Sequence, residues 1–448
     1  MDVKISKGAD IKLKGSADRV YANVANSKYY AIKPSDFHLL TPKMVVKVGD
    51  YVEAGDILFY DKNLEVIKFT SPVSGSVIDI VRGAKRKILE VVIEAETDIK
   101  YKQFEIGDLA NLNKQQIIDH MLNAGLWPLI RQRPFATIAN PMESPKAIFI
   151  SGFDSSPLAP DNDFIFHGDD YLFQLGLDLI TQICDGTTHL NLDGNSNPAK
   201  VFRTAKGVQI NHVFGPHPAG NVGVQIHHID PINKGDVVWY LTPQDILTIA
   251  KFFKDGRYDA SKIIALTGAK VKKPRYYRVI QGTSIAPIVA DNTHEGEKRF
   301  ITGNVLTGER INADGYLGFY DFQISVITEG NYSEFFGWLL PGFHKYSLSR
   351  TFFSWLNSKH EYDLDSNNHG EERAYVVTGQ YESYMPIDIF PVQLIKAILI
   401  EDIELMENLG IYEVDTEDFA LCEYACTSKI PVQSIIRRGL DIIKKECS

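Results

Sequence analysis

The hydrophobic period changes partway along the chain, and that change limits the architectures open to it. Over roughly the first hundred of its 448 residues, apolar side chains alternate in short runs at 43–48, 57–60, 66–69, 77–81 and 88–93. A period of two puts successive side chains on opposite faces of a strand. Gly49-Asp50-Tyr51-Val52-Glu53-Ala54-Gly55-Asp56-Ile57-Leu58 carries two Gly-Asp turns around a short strand, and Ser71-Pro72-Val73-Ser74-Gly75-Ser76-Val77 is a further turn. Glycine supplies positive φ at such turns and Asp bonds its own backbone, so these dipeptides end strands.

From about residue 104 the period becomes helical. Asn113 with Gln116 forms a capping-box pair ahead of Ile117, Ile118, Met121 and Leu122, with Gly125 as the stop. A buried-strand run follows at 146–150, then a helix from Asp169-Asp170 through Leu172, Leu175, Leu179, Ile180 and Ile183 to Gly186. Strand runs at 188–192, 208–214 and 236–241 precede Thr242-Pro243-Gln244-Asp245, where Thr caps a helix with Pro at its first position and Gly256 closes it. Strands alternating with helices predict a Rossmann-like α/β layer structure. Strand runs at 262–266, 276–280 and 322–327 come next. A helical tail ends the chain: Pro391 opens a helix carrying Leu394, Ile395, Ile398, Met406 and Leu409 up to Gly410, and a last helix covers 432–445. The expected fold is a multidomain α+β chain. Its parts are a β barrel-sandwich of the biotinyl/lipoyl type over 1–103, a Rossmann-like α/β domain over 104–257, a small β domain over 258–330 and a helical domain over 331–448.

Composition excludes several classes. A net charge of -10 leaves no basic face for phosphates, so nucleic acid is not an expected partner. Four cysteines in 448 residues make no disulfide framework and point to a reducing compartment. The start, Met1-Asp2-Val3-Lys4, lacks the apolar run of a signal peptide. No apolar stretch reaches the ~20 residues of a spanning helix, so any membrane link is expected to run through a partner.

Several segments carry a family resemblance: Gly125-Leu126-Trp127 with Arg131-Gln132-Arg133-Pro134-Phe135, Gly215-Pro216-His217-Pro218-Ala219-Gly220, Gly303-Asn304-Val305-Leu306-Thr307-Gly308, Phe336-Gly337-Trp338-Leu339-Leu340-Pro341-Gly342, and Leu421-Cys422-Glu423-Tyr424-Ala425-Cys426. Thr267-Gly268-Ala269-Lys270-Val271-Lys272-Lys273-Pro274 with Gly282-Thr283 is similar to a soluble-ligand-binding (SLBB) β-grasp module. With the order of the four parts, these segments resemble the A subunits of Na+-translocating NADH:quinone reductases, relatives of the Rnf complex C subunits and of the NADH-binding subunits of respiratory complex I. The resemblance implies a peripheral subunit on the cytoplasmic face of the bacterial inner membrane. It would dock chiefly on an integral-membrane partner and work at the quinone-reducing end of a complex that exports Na+. It also implies no tightly bound cofactor in this subunit, the flavins, the 2Fe-2S cluster and Na+ belonging to others, with quinone as the substrate of the complex. Two rival readings are a free-standing flavin NADH dehydrogenase and a purely structural docking subunit.

Each candidate site has a functional and a structural reading. The stretch that matches the relatives' flavin loop holds one glycine and several bulky side chains, whereas phosphates need close backbone approach at a helix start. No G-x-G-x-x-G follows a strand elsewhere in the α/β region. Lys62 and Lys68 lie out of register for a lipoyl-type carrier lysine, so a plain β domain is expected. Cys422 and Cys426 at i, i+4, with Cys184 and Cys447 in other segments, complete neither an iron–sulfur nor a zinc set, and packing is expected. His217, between two prolines after the 208–214 strand, is placed to line a cleft at the carboxyl end of the sheet; a structural role for it and for His227-His228 is the alternative. A quinone head needs an apolar slot, an aromatic wall and a donor or cation near a carbonyl. Trp127, Arg131, Arg133 and Phe135, with Phe37, His38 and His217, offer those groups. Their structural alternative is core packing for the aromatics and salt bridges for the arginines.

Overall fold

The computed structural model describes residues 1–448 apart from 333, 377, 378 and 448, with the side chains of 338 and 447 also outside the described set. Its first unit follows from the Gly-Asp turns. Asp50 and Asp56 accept from the backbone N–H of Lys47 and Glu53 at 2.8 and 2.9 Å, and Gly49 and Gly55 take φ of 95° and 99°. These turns fold the chain into two small sheets. One is ordered Tyr29–Ile32, Ile88–Ala95, Gly75–Arg82, Tyr51–Val52; the other Pro42–Met44, Ile57–Asp61, Lys68–Thr70. The run expected at 43–48 keeps strand pairing only in its first residues, and Val45 and Val48 face solvent.

The α/β unit is built on a sheet ordered Asp2–Lys4, Gln209–Phe214, Thr187–Asp193, Ala147–Ser151, Val238–Leu241, Arg131–Arg133, Thr137–Ile138. The first five strands run parallel, Arg131–Arg133 pairs antiparallel to the fifth, and Thr137–Ile138 pairs antiparallel to Arg131–Arg133. Starting from Ala147–Ser151, the chain adds two strands on one side and then crosses to add Val238–Leu241 on the other. The carboxyl ends of Ala147–Ser151 and Val238–Leu241 therefore flank a topological switch point, where open α/β sheets leave a crevice. Helices Lys114–Ala124 and Pro243–Asp255 start at the expected caps Asn113 and Thr242, the second also closed into a capping box by Asp245, and end at Gly125 and Gly256 with φ of 72° and 63°. Helix Asp170–Gln182 packs on Pro243–Asp255, and Gly176 permits the close crossing, since a Cβ there would lie 2.5 Å from the Ile246 carbonyl oxygen. This helix stops at Ile183, short of the expected Gly186.

Two N-terminal strands pair outside the β unit. Asp2–Lys4 forms an edge of the α/β sheet against His212–Phe214, and Asp18–Ala22 joins a mixed sheet ordered Glu309–Ile311, Lys298–Thr302, Gln323–Thr328, Ser261–Thr267, Arg275–Ile280, Asp18–Ala22. The chain closes with helices Pro391–Leu399, Ile403–Asn408, Ala420–Ala425 and Val432–Cys447. Their apolar faces bury Leu394, Ile398, Met406 and Ile436 together with Val3 and Ile5 from the N-terminus. The single helix expected from Pro391 to Gly410 is interrupted. Glu401 takes φ of 57°, and the Asp402 carboxylate accepts from Leu405 N–H at 3.0 Å to begin a second helix. Among the described residues no helix is long and apolar enough to cross a membrane.

Candidate functional site

A cavity of about 280 Å³ opens at the switch point. Its walls come from several parts of the fold: Ser151 to Ser156 after the first strand, Thr242 to Gln244 after Val238–Leu241, His217 to Val222 beyond Gln209–Phe214, Asn304 to Thr307 and Tyr320 to Gln323 from the mixed sheet, and Glu417 from the helical tail. The loops are locked at close quarters. Ser155 Oγ accepts from Gly220 N–H at 2.8 Å, and a Cβ on Gly220 would lie 2.5 Å from Ser155 N, so only glycine fits there. Helix Val222–Ile229 is tied to the sheet through Gln225, which is bonded to Asn191 and to Ser151 Oγ at 2.8 Å each.

Two residues nominated from sequence line this cavity. Arg131 lies on the short antiparallel strand with its guanidinium between two rings, 4.6 Å from the centre of Tyr240 and 4.3 Å from that of Tyr320. Planar guanidinium stacks well on aromatic faces, and Tyr320 is held in turn by donating to the Pro128 carbonyl at 2.7 Å. The Nε of Arg131 has no hydrogen-bond partner among the described residues. His217 is buried, with Nδ1 3.0 Å from Ser155 Oγ and Nε2 unpartnered. Ser155 Oγ accepts from Gly220 N–H and has one proton to donate; given to Nδ1, that proton leaves the N–H of the neutral ring at Nε2. Burial depresses the His217 pKa, opposed by Asp154 and Asp10, which agrees with a neutral ring. Ser156 Oγ and Gln323 Oε1, also on the cavity wall, complete a set of buried polar atoms without partners among the described residues. Such a concentration is unusual, because buried polar atoms are nearly always satisfied.

Three family models match the chain: an NqrA N-terminal barrel-sandwich hybrid domain over residues 3–96, an NqrA second alpha/beta domain over 112–258, and an NQRA C-terminal domain over 263–313. The A subunit of the Na(+)-translocating NADH-quinone reductase of Marinomonas sp. (strain MWYL1) is 35% identical over 446 residues, 99% of each chain. The subunits of the same name from Yersinia pestis bv. Antiqua (strain Angola) and Rhodopirellula baltica are each 36% identical, over 99% of this chain and 100% and 98% of theirs. The chain belongs to the family of Na+-translocating NADH-quinone reductase A subunits. Among solved structures, an NAD+-reducing [NiFe]-hydrogenase chain is similar over 74% of this chain and 61% of its own, at a TM-score of 0.39 and 10% identity.

In this A-subunit family member the remaining nominated residues lie away from the cavity lining. Trp127 is fully buried, donates its indole N–H to the Ala139 carbonyl at 2.7 Å and packs edge-on against Trp239. Arg133 shares the Tyr240 ring with Arg131, as the two-residue strand period requires, but its charge is spent on the helical tail: Glu417 at 2.6 Å, Asp418 at 3.2 Å and Asp415 at 3.8 Å. Phe135 packs on Tyr412, and its carbonyl accepts from Arg437 at 3.0 Å. Phe37 sits one layer behind the wall, against Phe319 and Tyr320. His38 Nε2 lies 2.8 Å from Asp441. His227 bridges Glu413 at 2.7 Å and Asp388 N–H at 3.1 Å, and His228 bonds the Val224 carbonyl. Lys68 donates to Asn123. Cys184, Cys422 and Cys426 are buried free thiols, burial raising the Cys422 pKa, while the Cys447 side chain lies outside the described residues. Among the cavity residues that sequence reading missed are Tyr240, Tyr320, Phe153, Ser156 and Gln323. Tyr240 and Gln323 lay in runs read as strands, and pairing Tyr240 with Tyr320 needs the third dimension.

Proposed function

We propose that this chain is the peripheral subunit that works at the quinone-reducing end of a Na+-translocating NADH:quinone reductase, and that the switch-point cavity takes the quinone head. The carrying observation is the coincidence, in one aromatic-walled cavity, of the unpartnered Nε2–H of His217 and the stacked guanidinium of Arg131. Reduction of a quinone adds two electrons and two protons, and negative charge grows on the carbonyl oxygens as electrons arrive. A neutral imidazole N–H donates to one such oxygen, and a fixed guanidinium stabilises the charge as it develops. The wall of Tyr240, Tyr320 and Phe153 supplies the flat apolar contact that a quinone ring requires.

The same reading makes the middle unit Rossmann-like, the mixed sheet a β-grasp and the tail a helical domain, divided at 103, 257 and 330, with the strands Asp2–Lys4 and Asp18–Ala22 lent to the second and third. It puts the chain on the cytoplasmic face of the inner membrane against an integral-membrane partner, with no tightly bound cofactor of its own. Titration with a soluble short-chain quinone tests the site. Arg131→Met and His217→Ala should each weaken binding about tenfold, the loss of one good contact of ~1.4 kcal/mol, in variants that thermal melts show to be folded at the titration temperature. A wild-type chain that binds no quinone would leave a docking role alone, and flavin absorbance surviving gel filtration would restore the dehydrogenase reading.

A further inference from the structure

One segment of the chain turns a run of large apolar side chains to solvent. Between residues 335 and 356 the side chains of Phe335, Leu339, Phe343, Phe353, Trp355 and Leu356 are all at least half exposed, Phe335 at 88% and Leu356 at 66%. The segment holds itself in shape without a core. Lys345 pairs with Glu334, donates to the Gly337 carbonyl at 2.9 Å and lies over the Phe352 ring, and Phe343 packs against Phe353. It is fastened to the body where Lys12 donates to the Ser358 carbonyl at 2.8 Å and Tyr346 packs on Tyr362. A framed loop that turns its large apolar groups outward is a presented surface.

Area and charge indicate what covers it. Four aromatic side chains of roughly 150–250 Å² each together with two leucines, all at least half exposed, present on the order of 700 Å². That exceeds the ~300–600 Å² of the largest patch on a typical monomer and approaches the ~800 Å² per partner of a standard interface. Residues 335–360 contain no Asp or Glu, although the whole chain has a net charge of -10. Lys345 is neutralised by Glu334 at the centre, and exposed Arg350 and Lys359 stand as the strong cations of the segment. A charge-depleted centre with a polar rim is the anatomy of a protein interface. Charge-driven adhesion to anionic lipid takes a cluster of about 4–8 basic residues, which two cations do not supply.

We propose that this aromatic loop is a docking surface for another subunit of the reductase, one presenting an apolar face rimmed by carboxylates. The test co-expresses the full chain with the other subunits and measures its amount in the purified membrane complex. In the triple variant Phe335→Ser, Phe343→Ser, Leu356→Ser the amount should fall at least tenfold, with the isolated chain melting as wild type does, because all three positions are exposed. Arg350→Glu with Lys359→Glu should weaken retention more at low salt than at high. Wild-type stoichiometry of the triple variant in the complex overturns the proposal. So does co-flotation of the isolated wild-type chain with phosphatidylglycerol vesicles that the triple variant abolishes, which assigns the loop to lipid. Concentration-dependent dimerisation of the isolated chain that the triple variant removes overturns it in favour of a second copy.

Discussion

Arg131 and Arg133 stand two residues apart on one strand and are put to different uses. Arg131 lies on the cavity wall between the rings of Tyr240 and Tyr320, whereas Arg133 is 1% exposed and surrounded by three carboxylates. Removing one partner of a buried ion cluster leaves the other charges uncompensated, which costs about 3–5 kcal/mol. Arg133→Met is therefore expected to lower the urea midpoint strongly, while Arg131→Met lowers quinone affinity with little change in stability; denaturation curves of the two variants side by side check this. Asp36 gives a pH signature. Burial pushes its carboxyl up to about 6, against the pull of Lys33 at 3.4 Å and the Phe319 N–H at 2.7 Å. The folded chain thus keeps this proton to about pH 6, whereas the unfolded chain releases it near ~4. The stability it contributes is fully present below the unfolded value and lost as pH rises through the folded one, by on the order of 3 kcal/mol. Asp36→Asn should flatten that part of the curve, so the difference in melting temperature between variant and wild type should grow in the variant's favour from pH 4 to 6.5 and then level off. An unchanging difference would show that Asp36 titrates normally.

At the scale of elements, local signals succeeded where they were complete. Asn113 with Gln116 and Thr242 with Asp245 form reciprocal capping boxes, and both helices end at a glycine in the left-handed region. The tail failed where a signal was incomplete: residues 391–409 carry a helical apolar pattern throughout, yet the helix breaks before Asp402. An Asp that accepts from Leu405 N–H satisfies a donor that a continuous helix would have bonded internally. Asp402→Ala should cost about 1 kcal/mol, read as a lower urea midpoint at unchanged slope. No loss of stability would mean that tertiary packing alone holds the second helix start.

For the whole molecule, the N-terminal strands act as ties. Asp2–Lys4 closes one edge of the α/β sheet while Val3 and Ile5 enter the core of the helical tail, and Asp18–Ala22 closes an edge of the mixed sheet. Deleting residues 1–22 should therefore loosen units far away in sequence. The expected result is earlier proteolytic cleavage within the helical tail and a lower melting temperature, with the barrel-sandwich core persisting longest. Unaltered protease resistance of the tail would show that these strands are decorative edges.

Most of the strand and helix runs before residue 330, the caps Asn113 and Thr242 and the closing glycines Gly125 and Gly256 were legible along the chain, because they rest on contacts within a few residues. So was the place of the cleft, since strands alternating with helices force a crevice at their carboxyl ends, and His217 was named for that reason. What the chain alone did not show is how the segment from Trp127 to Phe135 is shared out: Trp127 to the core, Arg133 and Phe135 to the helical tail, Arg131 to the cavity. Those assignments depend on Trp239, Tyr240, Tyr320, Asp418 and Tyr412, partners more than a hundred residues away. Residue types state what a side chain offers, and only the packing of distant elements determines whether it is spent on structure or left free for a ligand.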